Sequence, residues 1–136
     1  FIKNEIKKKK LSELFTIIQF ASNEEVIYFY QNAFGVVMPT TGGPTNLPLY
    51  ESFFFKKPIF YTKNLLNDDN LKKAIIEIDI KDPLDFANKL LNINNINLEK
   101  IKSYAYDYYF KVCDKEIYKK NYMKILNEVT SVISKS

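Results

Sequence analysis

The segment that decides the fold is Gly35-Val36-Val37-Met38-Pro39-Thr40-Thr41-Gly42-Gly43-Pro44-Thr45-Asn46-Leu47-Pro48-Leu49-Tyr50-Glu51. It begins with a short apolar run and ends in a helix-like run that continues to Phe55. The backbone must therefore pass from a strand to a helix through a small, polar, glycine-containing turn. Free backbone N–H groups gather at such a helix N-terminus, where the partial positive charge suits a phosphate. The segment predicts an anion-binding turn.

The side chains of the turn allow a more specific prediction. Gly42 and Gly43 permit positive φ, while Thr45 and Asn46 can cap the helix or donate to a phosphate. Helical side chains lean toward the helix N-terminus, so we expect Glu51 to point at the mouth of the turn. A carboxylate there can accept both hydroxyl protons of a ribose diol. The alternatives are a purely structural loop and an acid placed by the helix dipole.

Short β-branched and aromatic runs alternate with helical patterns on both sides of this turn. The predicted strands are Phe15–Phe20, Ala33–Met38, Pro58–Tyr61 and Ile75–Asp79. Helical patterns cover approximately 4–13, 22–32, 47–56, 82–91, 98–110 and 114–134. This alternation predicts an α/β fold, a Rossmann-like parallel sheet with helices on both faces and additional C-terminal helices. Ligands of such sheets bind beyond the carboxyl ends of the strands, where the turn is expected to lie.

Composition limits the classes of function. The 136 residues suit a single domain, and 46% hydrophobic residues argue against disorder. The net charge of +4 allows anionic partners, but the interspersed acids do not favour nucleic acid. Cys113 is the single cysteine and histidine is absent, which excludes the usual zinc sites and histidine-activated nucleophiles. The chain starts at Phe1 without a helix start signal, and we expect it to belong to a longer protein.

Several of these stretches together resemble a known family. The strand Gly35–Thr40, the following Gly-Gly-Pro-Thr-Asn-Leu-Pro-Leu-Tyr-Glu and Lys57–Ile59 look like the C-terminal domain of family-4 retaining glycosyltransferases. Phe20–Glu25 and Ile78–Pro83 resemble neighbouring parts of that domain, so the likeness spans roughly 14–91. The Gly-Pro-Thr-Asn-Leu-Pro form is similar to that of some bacterial members. The resemblance implies a GT-B fold, whose C-terminal Rossmann-like domain holds most of the sugar-nucleotide donor.

The resemblance also assigns roles to residues of this chain. Glu51 matches the glutamate that binds the donor ribose, and Ala21 and Ser22 match a loop near the nucleotide base. Gly43 stands where the family has another glutamate, which contacts the donor sugar. No catalytic residue, cofactor or metal is implied within this chain. In the family, the backbone amides of one segment hold the donor diphosphate. The matching residues of this chain are Gly43, Pro44, Thr45, Asn46 and Leu47.

The predicted function is therefore donor binding in a glycosyltransferase that transfers sugar to a glycan or lipid-linked acceptor. The resemblance implies that a separate N-terminal domain binds that acceptor, so this chain alone is expected to be inactive. We expect a cytoplasmic location. The lysine-rich Lys7–Lys10 run is typical of the solvated face of a helix, and it also allows peripheral contact with the inner face of a membrane.

Two other classes of function remain open from the sequence. One is a related GT-B sugar-nucleotide enzyme such as an epimerase. The other is a non-catalytic interaction module that uses lysines and the tyrosines at 104, 106, 108 and 109. The pairs Asp68/Asp69 and Asp79/Asp82 could suggest metal binding, but loop and helix-cap roles explain both. For hydrolysis, the candidate carboxylate pairs are Asp107 with Asp114 and Glu77 with Asp79.

Overall fold

The computed structural model of the protein describes residues 2–42 and 46–133, except the side chains of 121 and 128–133. Within these ranges the chain alternates between helices and short strands. The strands are β1 (Val36–Met38), β2 (Ile59–Thr62) and β3 (Ile76–Ile78). The helices are α1 (Ile2–Lys8), α2 (Asn23–Asn32), α3 (Leu47–Phe54), α4 (Asp69–Lys72), α5 (Pro83–Leu91), α6 (Leu98–Cys113) and α7 (Lys115–Ile133). Short 3-10 turns lie at Ser12–Leu14 and Ile93–Asn95.

The three strands form one parallel sheet in the order β1-β2-β3. Val37 lies opposite Phe60, and Tyr61 lies opposite Glu77. All three strands therefore end at the same edge of the sheet. The prediction of a mixed α/β fold with a parallel sheet is confirmed, although the sheet is smaller than the predicted one.

Helices cover both faces of the central strand. Its side chains alternate, so Ile59 and Tyr61 belong to one buried cluster and Phe60 to another. The first cluster includes residues of α3 and α6, and Phe86 of α5 packs against the second. Because β2 has cover on both faces and a strand on each side, all four of its residues are buried.

Two helix starts follow the local signals in the sequence. The Ser22 side chain accepts from the Glu25 amide, and the Glu25 carboxylate accepts from the Ser22 amide, completing a capping box for α2. The Asp82 carboxylate caps α5 by accepting from the Leu84 amide, and Pro83 occupies the first helical position. These predicted helices are confirmed, with α5 running to Leu91 as expected.

The predicted strand Phe15–Phe20 is wrong, because this segment is neither helix nor strand. Its apolar side chains remain open, and Phe20 is 92% exposed. Strand propensity does not make a strand unless a neighbouring edge accepts its backbone hydrogen bonds. The sheet of the described residues contains β1, β2 and β3 only. Because Phe15–Phe20 does not pair with β1, β1 lies at the edge of the sheet and is half-buried. The prediction of a fully buried strand there is wrong.

Candidate functional site

The predicted anion-binding turn connects the carboxyl end of β1 to α3. Gly43, Pro44 and Thr45 lie outside the described residues, so their predicted roles concern a part of the turn that the structure does not describe. Before them, the Thr40 hydroxyl accepts from the Gly42 amide at 3.2 Å. Gly42 has φ of +143°, a conformation that favours glycine. The turn therefore follows the strand end directly, as the sequence predicts.

Asn46 and Leu47 stand at the start of α3. Asn46 is the N-cap residue of α3, but its side chain makes no capping hydrogen bond, so the predicted side-chain cap is wrong. Its Oδ1 atom instead accepts from the Tyr61 hydroxyl at 2.9 Å, which ties the turn to β2. Leu47 is 62% exposed, and Pro48 occupies the first helical turn.

Glu51 lies in the second turn of α3 and is half-buried. Its Oε2 atom accepts from the Tyr30 hydroxyl of α2 at 2.8 Å. The Tyr30 ring stacks on Phe55 with centroids 5.2 Å apart and planes 5° from parallel. Burial, and then the bond to Glu51, raises the pKa of Tyr30. Glu51 is thus fixed through one carboxylate oxygen, while Oε1 has no hydrogen-bond partner among the described residues.

Ala21 and Ser22, predicted to lie near a nucleotide base, precede α2 and are exposed. The Ser22 hydroxyl and amide are both occupied by the capping box with Glu25. Neither residue belongs to the groove that lies at the carboxyl edge of the sheet. Ser22 therefore has a structural role in starting α2.

A groove of about 550 Å³ lies beyond the carboxyl ends of the strands. Thr41 of the predicted turn forms one part of it, and the segments after β2 and β3 form the rest. Glu51 is not among its lining residues. Residues that follow β2 and β3 bring three polar side chains that sequence reasoning missed, namely Lys63, Asn64 and Lys81. Their positions directly after strands were the available signal.

The charges in this groove are partly paired. Lys63 forms an ion pair with Asp79, and Asp79 Oδ1 accepts from the Lys81 amide at 2.9 Å. The hydrogen bond from Lys63 lowers the pKa of Asp79 and raises that of Lys63. The Lys81 ammonium has no ion-pair partner within 2–42 and 46–133. The groove therefore combines one unpaired cation with an ion pair and an amide side chain.

Thr62 presents an unusual polar group at the wall of the groove. The residue is 6% exposed, and its Oγ1 atom has no hydrogen-bond partner among the described residues. Thr62→Val replaces this hydroxyl with a methyl group of similar size, so the free energy of unfolding should rise by about 1 kcal/mol. Urea denaturation measures the change.

The exposed Thr16 is the matched control for this prediction. Thr16→Val should change the free energy of unfolding by less than about 0.5 kcal/mol. A destabilisation of Thr62→Val would show that the Thr62 hydroxyl makes a hydrogen bond in the folded protein.

The two carboxylate pairs considered for metal binding, Asp68/Asp69 and Asp79/Asp82, have structural partners. Asp68 caps α4 and Asp82 caps α5, while Asp69 pairs with Lys72 on the helix surface. The described residues contain no group of three or more Cys, His, Asp or Glu side chains arranged to hold a metal ion. Within the same ranges, no helix combines the length and apolarity required to cross a membrane.

The fold and the groove define a mixed α/β protein with a ligand-sized cleft at the carboxyl edge of a parallel sheet. Most of the residues that line the cleft have polar side chains. No model of a known protein family matches the chain, and no curated protein matches it. The likeness to the glycosyltransferase domain consequently remains a prediction from the residues.

Proposed function

We propose that this chain binds the nucleoside diphosphate of a sugar-nucleotide donor, as the donor-binding part of a retaining GT-B glycosyltransferase. The observation that carries the proposal is the position of Glu51. Glu51 lies in the second turn of α3, the helix that follows the carboxyl end of β1, and its carboxylate accepts a hydrogen bond from the Tyr30 hydroxyl of α2. One carboxylate oxygen keeps its acceptor capacity for a ribose hydroxyl.

The start of α3 supplies the second part of the proposal. The first amides of a helix have no acceptor within the helix, and the helix dipole favours an anion at that end. In α3, Pro48 has no N–H and the amides of Leu49 and Tyr50 donate to the Asn46 carbonyl oxygen, which leaves the Leu47 amide for a ligand. The resemblance implies that the amides of the segment Gly43 to Leu47 hold the diphosphate. Leu47, the first residue of α3, is exposed to solvent.

The groove beside the turn supplies positive charge. Thr41 borders both the turn and the groove, and the groove contains Lys63 and Lys81. A phosphate near Thr41 would be attracted by the unpaired Lys81 ammonium and by the amides of the turn. In the complete enzyme these groups would stabilise the departing diphosphate, while Glu51 would orient the donor. The acceptor would be a glycan or a lipid-linked chain bound by a separate domain.

A nucleotide titration tests this proposal. Binding of UDP, GDP and ADP to the isotopically labelled chain would be followed by amide chemical shifts. One of them should bind saturably, and Glu51→Gln should weaken that binding about tenfold, because a hydrogen bond to a charged acceptor is lost. Glu99→Gln is the matched control, since Glu99 is an exposed acid at the start of α6.

The ribose role can be separated from nucleotide binding as a whole. The 2′-deoxy form of the bound nucleotide should bind more weakly, and Glu51→Gln should then weaken it less than it weakens the ribonucleotide. A Kd of about 10 mM corresponds to a binding free energy of about 3 kcal/mol. If none of the three nucleotides binds saturably up to that concentration, the donor-site proposal is contradicted. If Glu51→Gln and the unaltered protein bind the ribonucleotide equally, only the assignment of the ribose contact to Glu51 is contradicted.

A further inference from the structure

A second cleft lies away from the carboxyl-edge groove. It has a volume of about 400 Å³, within the range of small-molecule sites. One wall is the segment at the start of α4, and the other is a face of α6. It shares no lining residue with the groove that contains Lys63 and Lys81. Its lining side chains include Asp68, Asn70, Tyr104, Asp107, Tyr108 and Lys111.

Two hydrogen bonds fix the walls of this cleft relative to each other. The Tyr108 hydroxyl donates to Asp68 Oδ2 at 2.7 Å, and the Tyr104 hydroxyl donates to Asn70 Oδ1 at 3.2 Å. Burial, and then the bond to Asp68, raises the pKa of Tyr108. Two tyrosine side chains are therefore positioned before any ligand arrives, which lowers the entropy cost of binding.

The cleft also contains polar groups with unused hydrogen-bonding capacity. Asp107 and Lys111 lie one helical turn apart on α6 and are both exposed. Neither has a hydrogen-bond or ion-pair partner among the described residues. The Asn70 amide nitrogen likewise makes no hydrogen bond within that part of the chain. Acceptors, donors and tyrosine rings thus line one small space.

The charge balance of the cleft indicates the class of ligand. Asp68 and Asp107 contribute two negative charges and Lys111 one positive charge. The lining charges therefore sum to one negative charge, which disfavours a phosphate, while the Lys111 ammonium opposes an amine. Carboxylate and amide groups beside aromatic rings suit a neutral ligand that carries several hydroxyls and an apolar C–H face.

We infer that this cleft binds a saccharide. Asp107 accepts hydroxyl protons of the sugar, Asn70 and Lys111 donate to its oxygens, and a tyrosine ring contacts its C–H face. This site is independent of nucleotide binding, since its residues lie outside the groove at the carboxyl edge and outside α3.

The test is a titration of the labelled chain with glucose, galactose, N-acetylglucosamine and maltose, read by amide chemical shifts. At least one sugar should give saturable shifts at Asn70, Asp107 and Lys111. Asp107→Asn should weaken that binding about tenfold, because a charged acceptor is lost. Glu99→Gln, an exposed acid on the same helix, should leave the affinity unchanged.

Phosphate and methylammonium serve as charged comparison probes. Tighter saturable binding of either ion than of the four sugars would overturn the inference. So would absence of saturable sugar shifts at about 100 mM, which marks binding weaker than most specific sites. Equal sugar binding by Asp107→Asn and the unaltered protein would also overturn it. Because Asp107 is exposed, an unchanged thermal unfolding midpoint should show that the variant folds.

Discussion

Phe53→Ala should lower the free energy of unfolding by about 3–5 kcal/mol, the largest effect that we expect from a single substitution. Phe53 is 0% exposed and lies in the buried cluster between the sheet and α6. Its ring meets the rings of Tyr50 and Tyr108 edge to face, at 6.1 and 6.3 Å between centroids. Truncation removes this packing and leaves a cavity where α3 meets α6.

The next residue provides a matched control for this substitution. Phe54 has the same side chain on the same helix but is 46% exposed. Phe54→Ala should therefore cost less than half as much, since less apolar area returns to water. Urea denaturation followed by circular dichroism measures both variants. Equal losses would show that α3 does not bury Phe53 as the structure indicates.

Local signals predicted the helix starts well, because each depends on residues only a few positions apart. Ser22 with Glu25 and Asp82 with Pro83 satisfy the first amides of their helices within one turn of chain. The helix that carries Glu51 was predicted for a similar reason, since Pro58 limits how far it can run. Such elements need no information about distant parts of the fold.

Pairing and burial could not be predicted in the same way. Phe15–Phe20 has the composition of a buried strand, yet in the structure this segment is exposed and lies outside the sheet. Whether such a segment joins a sheet depends on backbone partners elsewhere in the chain, which a run of β-branched residues does not specify. Asn46 shows the same limit, because Tyr61 is fifteen positions away and takes the side chain that was predicted to cap α3.

The candidate site divides along the same line. The turn and Glu51 follow from the strand-to-helix order, which the sequence shows directly. The Tyr30 contact to Glu51 spans twenty-one positions and depends on how α2 packs beside α3. Lys63 and Lys81 line the same groove because parallel β2 and β3 end at one edge. Their positions after strands are visible in the sequence, but the pairing of β2 with β3 that brings them to one groove is not.

Gly35→Ala should lower the free energy of unfolding by about 1–3 kcal/mol, because a methyl group there overpacks the start of β1. A Cβ at Gly35 would lie 2.9 Å from the carbonyl oxygen of Pro58 and 3.3 Å from its Cγ. The first contact is with backbone, which cannot rotate away as a side chain can. The same carbonyl accepts from the Val36 amide at 2.9 Å, so relief of the clash would lengthen a hydrogen bond between the strands.

Hydrogen exchange localises this effect, and urea denaturation gives its size. Protection of the Val36 amide should fall in Gly35→Ala by more than the global loss of stability explains, because the substitution separates β1 from β2 locally. Phe34→Ala is the neighbouring control, since Phe34 is 62% exposed and its truncation should cost less than about 1 kcal/mol. Unchanged stability and protection in Gly35→Ala would mean that β1 does not need to lie so close to Pro58. The turn after β1 would then be less firmly positioned against the sheet than the proposed donor site requires.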